Sequence, residues 1–167
     1  MGLRHQRYMW GMAIILGLGG IIVIVIAVLS TKPLIPAAVK SQVTSTIFVP
    51  KGPEYLVDRE TVKYDAANKL LSFKIRKGKA TVATVAEQPT PDQFNDIPEY
   101  SARFFDTSGE YKTFDSIAGT VHLLHPKQTV RDAAAMNAKG TLLFVNPDVS
   151  FSEDDWRRLF QSLIVVQ

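Results

Sequence analysis

The sequence contains no cysteine. This absence excludes disulfides, thiolate metal sites, cysteine nucleophiles and the acylated cysteine of a lipoprotein. Histidine is scarce as well, with three residues in the chain, and no G-x-S-x-G motif is present. The glycine-rich stretch Gly17–Gly20 lies inside an apolar run, where it cannot form a phosphate-binding loop. The sequence therefore has no motif that identifies a reaction.

Acidic residues are absent before Glu54. Five of the 19 basic residues lie in residues 1–53, which leaves 14 against all 16 acidic residues in the remainder. The net charge of +3 thus arises around the N-terminal segment, where Lys and Arg can meet anionic lipid headgroups. The remainder lacks the concentrated basic face that phosphate binding requires, so no nucleic-acid partner is expected.

A single long apolar run, Met9–Leu29, carries no charged side chain. As a helix with a rise of about 1.5 Å per residue it would span about 32 Å, which matches the hydrocarbon core of a bilayer. The run is longer than the apolar core of a signal peptide, and no A-x-A cleavage site follows it closely. The pattern predicts a single transmembrane helix over residues 9–30.

Charges beside this run predict its orientation. Arg4 and Arg7 precede it and Lys32 and Lys40 follow it, so the positive-inside rule favours a cytoplasmic N-terminus. The predicted organisation is a cytoplasmic tail over 1–8, the membrane helix over 9–30, a linker and membrane-proximal segment over 31–53, and an extracytoplasmic domain over 54–167.

Strand patterns dominate the first half of that domain. Residues 60–64 and 70–76 alternate with period two, with Leu71, Phe73 and Ile75 on one face, and residues 80–86 are β-prone. Short connections join these segments, which predicts an antiparallel meander. Further strands are predicted over 111–117, 120–124 and, as a hairpin, from residue 129 through the turn 137–140 to residue 145.

Two segments carry helix signals. Thr90, Pro91 and Gln93 have the spacing of an N-cap, a first helical proline and a capping box. Ser152 and Asp155 form the same pattern at the start of the last helix.

The apolar stripe of that last helix comprises Trp156, Leu159, Phe160 and Leu163, and Glu153–Arg157 and Asp154–Arg158 are predicted i,i+4 ion pairs. The predicted fold class is α+β: an N-terminal transmembrane helix, then a curved antiparallel sheet packed by a C-terminal amphipathic helix.

The segments Ile117–Thr120, Gly140–Val145 and Ser152–Leu163 resemble a recurring bacterial pattern. The C-terminal third is similar to uncharacterised extracytoplasmic α+β domains of lipoproteins and anti-sigma factors, some of them related to the lipoprotein-carrier fold. The resemblance implies a sheet closed by the last helix. The chain departs from these proteins in having neither a lipobox cysteine nor a recognisable sigma-binding part.

His122 and His125 are the candidate chemical residues. Three positions apart on a strand, they point to opposite faces and cannot share a metal ion without a bend. The sequence therefore assigns no catalytic, cofactor-binding or metal residue. The leading interpretation is a membrane-anchored, extracytoplasmic, non-catalytic interaction or ligand-binding module of the bacterial envelope. Its partner would be an envelope protein or an apolar ligand. One alternative is a carrier-like domain that binds a lipid; the second is a cell-envelope enzyme that uses His122 or His125.

Overall fold

Seven antiparallel strands form the main sheet of the computed structural model, which describes residues 33–97, 99–127 and 130–166. In chain order these strands are β2 (Leu56–Asp65), β3 (Leu70–Lys77), β4 (Ala80–Pro89), β5 (Glu110–Asp115), β6 (Thr120–Leu124), β7 (Ala133–Ala138) and β8 (Thr141–Pro147). Their order in the sheet is β2-β3-β4-β8-β7-β6-β5, so two meanders join where β4 pairs with β8.

A second, two-stranded sheet joins the two ends of the folded unit. Strand β1 (Phe48–Pro50) pairs antiparallel with β9 (Leu163–Val165). The helices among the described residues are α1 (Ala37–Lys40), α2 (Gln93–Asp96), α3 (Tyr100–Thr107) and α4 (Glu153–Gln161). The α+β class, with an antiparallel sheet, is confirmed.

The inner face of the sheet is the one that packs against α4. Leu71, Phe73 and Ile75 lie on this face and are buried, as their alternation predicts. The apolar side of α4 packs against them. Trp156, Leu159 and Phe160 lie on this side of the helix and are at most 1% exposed. The ring of Phe160 also packs edge-on against Phe114 of β5, at 6.1 Å between centroids.

The outer face is covered on one half only. Helix α3 places Phe105 over β6, β7 and β8, where it joins a smaller buried cluster on the opposite side of the strands. Alternation along the strands explains the division, since Ala134 belongs to the inner core while its neighbours Ala133 and Ala135 belong to the outer cluster. The remaining members of the outer cluster are Leu124 and Leu142, with Phe94, Phe104 and Phe144 packed at its margin.

The compact unit comprises Leu34–Gln167 and so begins before the predicted boundary at residue 54. The segment assigned to a linker contributes Ile35, Ile47, Phe48 and Val49 to the inner core, each at most 2% exposed. Phe48 and Val49 lie in β1, which pairs with β9.

Among the described residues, no helix is both long enough and apolar enough to cross a bilayer. The predicted transmembrane helix over 9–30 and the tail over 1–8 lie outside the described residues.

Local corrections concern the helices. The capping box predicted at Thr90 does not form: α2 begins at Gln93 after Asp92, and no side chain caps it. Thr90 instead donates its hydroxyl to Asn137 Oδ1 at 2.6 Å, since the strand β4 runs on to Pro89. Helix α3 carries no N-terminal side-chain cap either, which leaves no local signal for its start.

Candidate functional site

His122 lies in the middle of β6, between Thr113 of β5 and Ala135 of β7. Its ring stacks on Phe105 of α3, with the centroids 3.6 Å apart and the planes 6° from parallel. Its Nδ1 contacts the carboxylate of Glu110. The histidine is thus held by an aromatic face and a carboxylate at the border of the outer cluster.

His125 follows β6 and has a different carboxylate partner. Its backbone N–H donates to the carbonyl oxygen of Gly109 at 2.8 Å, and its Nδ1 lies 2.7 Å from Asp132 Oδ1. The hydroxyl of Tyr111 donates to the other oxygen of Asp132, also at 2.7 Å. Hydrogen bonding to His125 holds the pKa of Asp132 below its usual range, whereas burial raises the pKa of Tyr111 to about 12. Tyr111 therefore remains a hydrogen-bond donor to an ionised carboxylate at neutral pH.

The structure does not bring the two histidines together on one ligand position. Each Nδ1 has its own carboxylate, and among the described residues no group of three His, Asp or Glu side chains is arranged to hold a metal ion. The hydroxyl of Ser108 donates to the carbonyl oxygen of Phe104 at 2.7 Å, and that of Ser116, the nearest serine in sequence to His122, donates to the carbonyl oxygen of Gly119 at 2.8 Å. The described hydrogen bonds therefore contain two His–carboxylate pairs without a serine or threonine nucleophile.

Strands β7 and β8 separate beside Asp132. Their ladder runs from the turn at Lys139–Gly140 to the pair Ala134↔Val145 and ends there. Each strand continues with its other neighbour, because β6 pairs with β7 as far as Ala133 and β4 pairs with β8 as far as Pro147. We call the resulting opening, between residues 130–133 and residues 146–147, the fork.

Pro147 explains why the ladder ends. Lys139 and Gly140 have φ of 50° and 75°, the left-handed values of a two-residue hairpin, so the pair Ala138↔Thr141 exchanges backbone hydrogen bonds. Every second pair does the same, and the next one after Ala134↔Val145 would be Asp132↔Pro147. Proline has no N–H to donate, so this rung cannot form in the usual way.

The fork opens into a cleft of about 420 Å³. A second depression of about 140 Å³ adjoins it and shares Val130, Arg131 and Pro147. Val130 is fully exposed at the entrance. The other lining residues are Asp132, Ala133, Asn146, Ser150 and Phe151. The cleft is thus lined by apolar side chains, by polar side chains and by backbone at the ends of β7 and β8.

Glu87 is a buried carboxyl group on the inner face of β4, 2% exposed. The N–H of Phe48 donates to it, with the two carboxyl oxygens 3.1 and 3.3 Å away. Its register neighbours on β3 and β8 are Leu71 and Leu143. Burial raises the pKa of Glu87 well above its usual range, and the hydrogen bond from Phe48 opposes that shift. The group ties β1 to the sheet and has no access to the fork or to the histidines.

The start of α4 carries a capping box, as predicted. The N–H of Asp155 donates to Ser152 Oγ at 3.2 Å, and the N–H of Ser152 donates back to Asp155 Oδ2 at 3.1 Å. Hydrogen bonds from Ser152 hold the pKa of Asp155 well below its usual range.

Ion pairs extend this cap to other elements. Glu153 pairs with Arg157 as predicted, at 2.9 Å. Arg158 does not pair with Asp154 as predicted; it contacts Asp155 of the same helix at 2.8 Å and Glu54 at 3.3 Å. These side chains are partly exposed, so each pair contributes little by itself.

The residues of the fork were missed from the sequence. Val130, Arg131 and Asp132 belong to no motif, and Pro147 ends a strand that the sequence does predict. The one local signal is Pro147 itself, since a proline at the end of a central strand removes a rung of the ladder.

Comparison of the chain with protein-family models, with curated proteins and with solved structures finds no match.

Proposed function

We propose that the protein is a membrane-anchored, extracytoplasmic binding module without catalytic activity, whose folded unit binds a partner protein. Residues 9–30 would anchor it, and the unit beginning at Leu34 would lie outside the cytoplasm. The fork is the observation that carries the binding role, because it is an open cleft with exposed apolar and polar groups on a well-packed sheet.

The packing of the inner face supports a protein partner over a carried lipid. A carrier needs an apolar cavity between the sheet and the last helix. In this chain the position is occupied by the rings of Trp156, Phe160 and Phe114, and Phe151 lies 4.6 Å from Trp156 between ring centroids. A close-packed interior of this kind leaves little volume for an acyl chain.

The geometry of the histidines gives the enzyme alternative less support. A general base needs a substrate or nucleophile within hydrogen-bond reach, in addition to its carboxylate. His122 is covered by Phe105, and the side chain of His125 is 68% exposed beside Asp132. Pairs of this kind hold a strand end in place without any chemistry.

Site-directed labelling tests the location, and the absence of cysteine makes it simple. Ala67 lies in the exposed turn between β2 and β3, and its side chain makes no hydrogen bond. Cells that express Ala67→Cys are treated with a membrane-impermeant maleimide, before and after lysis. His5→Cys, in the predicted cytoplasmic tail, is the matched control. We expect Ala67→Cys to react in intact cells and His5→Cys only after lysis; the reverse pattern would overturn the proposed orientation.

Lipid analysis separates the binding module from the carrier. The full chain is purified in detergent and extracted with organic solvent, and the extract is quantified by mass spectrometry against the Trp156→Ala variant, which opens the inner face. We expect no stoichiometric lipid in the unsubstituted protein. One lipid per chain that remains bound after detergent exchange would favour the carrier.

A further inference from the structure

We propose that the fork binds an extended peptide of the partner protein by strand pairing, with the backbones of Asp132 and Pro147 as its hydrogen-bonding groups. The inference deepens the proposed function and rests on it, since it names the chemistry of the partner. The ligand is an extended segment that carries an apolar side chain.

Backbone groups at the fork are the first support. Even-numbered residues of β8 face β4, as the bonds from Thr90 N–H to Gly140 and from Asp148 N–H to Val82 show on either side of the strand. Odd-numbered residues therefore face β7, and the carbonyl of Pro147 points into the fork. None of the turn, loop and cap hydrogen bonds between described backbone groups involves Asp132. The N–H of Asp132 and the carbonyl groups of Asp132 and Pro147 are therefore the backbone groups to which we assign the peptide, which is the recognition chemistry of strand addition.

The side chains around the fork define what the peptide presents. Val130 is fully exposed beside the cleft, and Ala133, Pro147 and Phe151 add apolar surface to its walls. Covering such surface is favourable by about 25 cal/mol for each Å² removed from water. An apolar side chain of the peptide would fill the cleft while the backbone pairs along its rim.

Hydrogen bonds to its side chain fix Asp132 in place before a peptide binds. Its two carboxylate oxygens accept hydrogen bonds from His125 and from Tyr111, which fix the residue from two neighbouring segments. A wall held in place before binding loses less conformational freedom on association. In this arrangement the exposed histidine positions the fork and does not act on the ligand.

The outer edges of the sheet are less suited to strand addition. Edge strand β2 is interrupted between Asp58 and Lys63, where the register with β3 shifts. Edge strand β5 shifts in the same way between Glu110 and Lys112. Bulges of this kind protect edges against pairing with another chain. The register of β7 and β8 contains no such bulge up to the fork.

Closing the fork tests the proposal. Pro147→Val supplies the missing N–H, so the ladder can extend by a rung between positions 132 and 147 and leave no backbone group for a ligand. Pro53→Ala, a proline in the connection between β1 and β2, is the matched control. Val130→Asp is the second variant; its position is fully exposed, so the change alters the cleft entrance without a cost to folding.

The probe is a phage-displayed library of linear random peptides, selected on the full chain in detergent micelles. Selected peptides are synthesised and their affinity is measured by fluorescence anisotropy. We expect Pro147→Val and Val130→Asp each to weaken binding about tenfold and Pro53→Ala to leave it unchanged. Hydrogen exchange should show slower exchange at the Asp132 amide when the peptide is bound.

Three results would overturn the proposal: no peptide enriched over empty micelles, equal affinity for the Pro147→Val variant, or amide protection confined to β2 or β5. The outcome is separate from that of the labelling experiment. Peptide binding at the fork in a chain labelled only after lysis would leave the inference standing and remove the extracytoplasmic location. External labelling without peptide binding would remove the inference alone.

Discussion

The two faces of the sheet differ in how they are covered. Among the described residues the inner core contains 23 buried side chains. They come from helix α4, both short strands, all seven strands of the main sheet, and the connecting residues Ile35, Ile47 and Tyr55. The outer cluster contains five, drawn from α3 and strands β6 to β8. Most elements of the described unit therefore contact the inner face, whereas one helical segment covers the outer face.

Because of this difference, a local change on the outer face should leave the rest of the fold intact. Opening the inner face exposes side chains from nearly every element, so it should be equivalent to global unfolding. Opening the outer cluster releases α2 and α3 from one half of the sheet. The fork and both histidines lie on that half, so the locally stabilised region is also the candidate binding region.

Truncating a side chain of the inner core should reduce stability most. Trp156→Ala should lower the free energy of unfolding by about 3–5 kcal/mol, because it removes a fully buried ring and leaves a cavity. Urea unfolding followed by circular dichroism measures this change. Ile117→Ala is the control; Ile117 is 76% exposed, so its truncation should change stability by less than about 0.5 kcal/mol. Equal midpoints for the two variants would show that α4 does not hold the core together.

A smaller and local effect is expected on the outer face. Phe105→Ala should cost about 3 kcal/mol within the outer cluster, since Phe105 is 2% exposed and also stacks on His122. Hydrogen exchange should speed up in α3 and β6, while the strands β3 and β4 keep their protection. A uniform increase over the whole sheet would contradict the division into a global core and a local attachment.

Glu87 should make the stability of the inner core depend on pH. Its pKa in the folded state is raised, so the folded chain holds this proton more tightly than the unfolded chain does. The resulting stability is complete below the unfolded pKa of about 4.3 and is lost as the pH rises towards the folded value, by about 1.4 kcal/mol per pKa unit.

Glu87→Gln should therefore stabilise the protein at neutral pH and flatten its stability above pH 5. The amide keeps a carbonyl oxygen for the N–H of Phe48 and never ionises. Urea midpoints measured between about pH 5 and pH 8 test this, because that range lies above the usual glutamate pKa. Glu60→Gln, at an exposed position of β2, is the control. A variant that is less stable than the unsubstituted protein at neutral pH would show that the buried carboxyl group is ionised and favourable.

Local patterns predicted much of the sheet. Period-two alternation located β3 and the second half of β2, β-branched residues located β4, and the turn residues Lys139–Gly140 located the last hairpin. The capping box at Ser152 and the stripe through Trp156 located α4 and its buried side. In each case the residues that form the pattern lie in the element that they predict. These elements could be predicted because they depend on interactions between residues close in sequence.

Contacts distant in sequence could not be predicted in this way. Pairing of Phe48 with Val165 joins opposite ends of the unit, and no local pattern in either strand names its partner. The burial of Glu87 depends on that pairing, because β1 is what covers it. The fork likewise depends on which strands flank β7 and β8, so Pro147 acquires its meaning only once the order of the sheet is known.

The cap of α4 should contribute least to stability, and its pH dependence has the opposite sign to that of Glu87. Ser152→Ala should cost about 1 kcal/mol at neutral pH, since it removes the side chain that accepts from the Asp155 N–H. Hydrogen bonds from Ser152 lower the pKa of Asp155, so their stabilisation is present above the unfolded pKa of about 3.9 and is lost as the pH falls. The difference in free energy of unfolding between the unsubstituted protein and Ser152→Ala should therefore shrink in acid. The difference between the unsubstituted protein and Glu87→Gln should also shrink in acid, because Glu87 is then protonated in both the folded and the unfolded chain. Urea midpoints at neutral and acidic pH, with Ser45→Ala as the control, separate the two groups: only the Ser152 variant should be less stable than the unsubstituted protein at neutral pH.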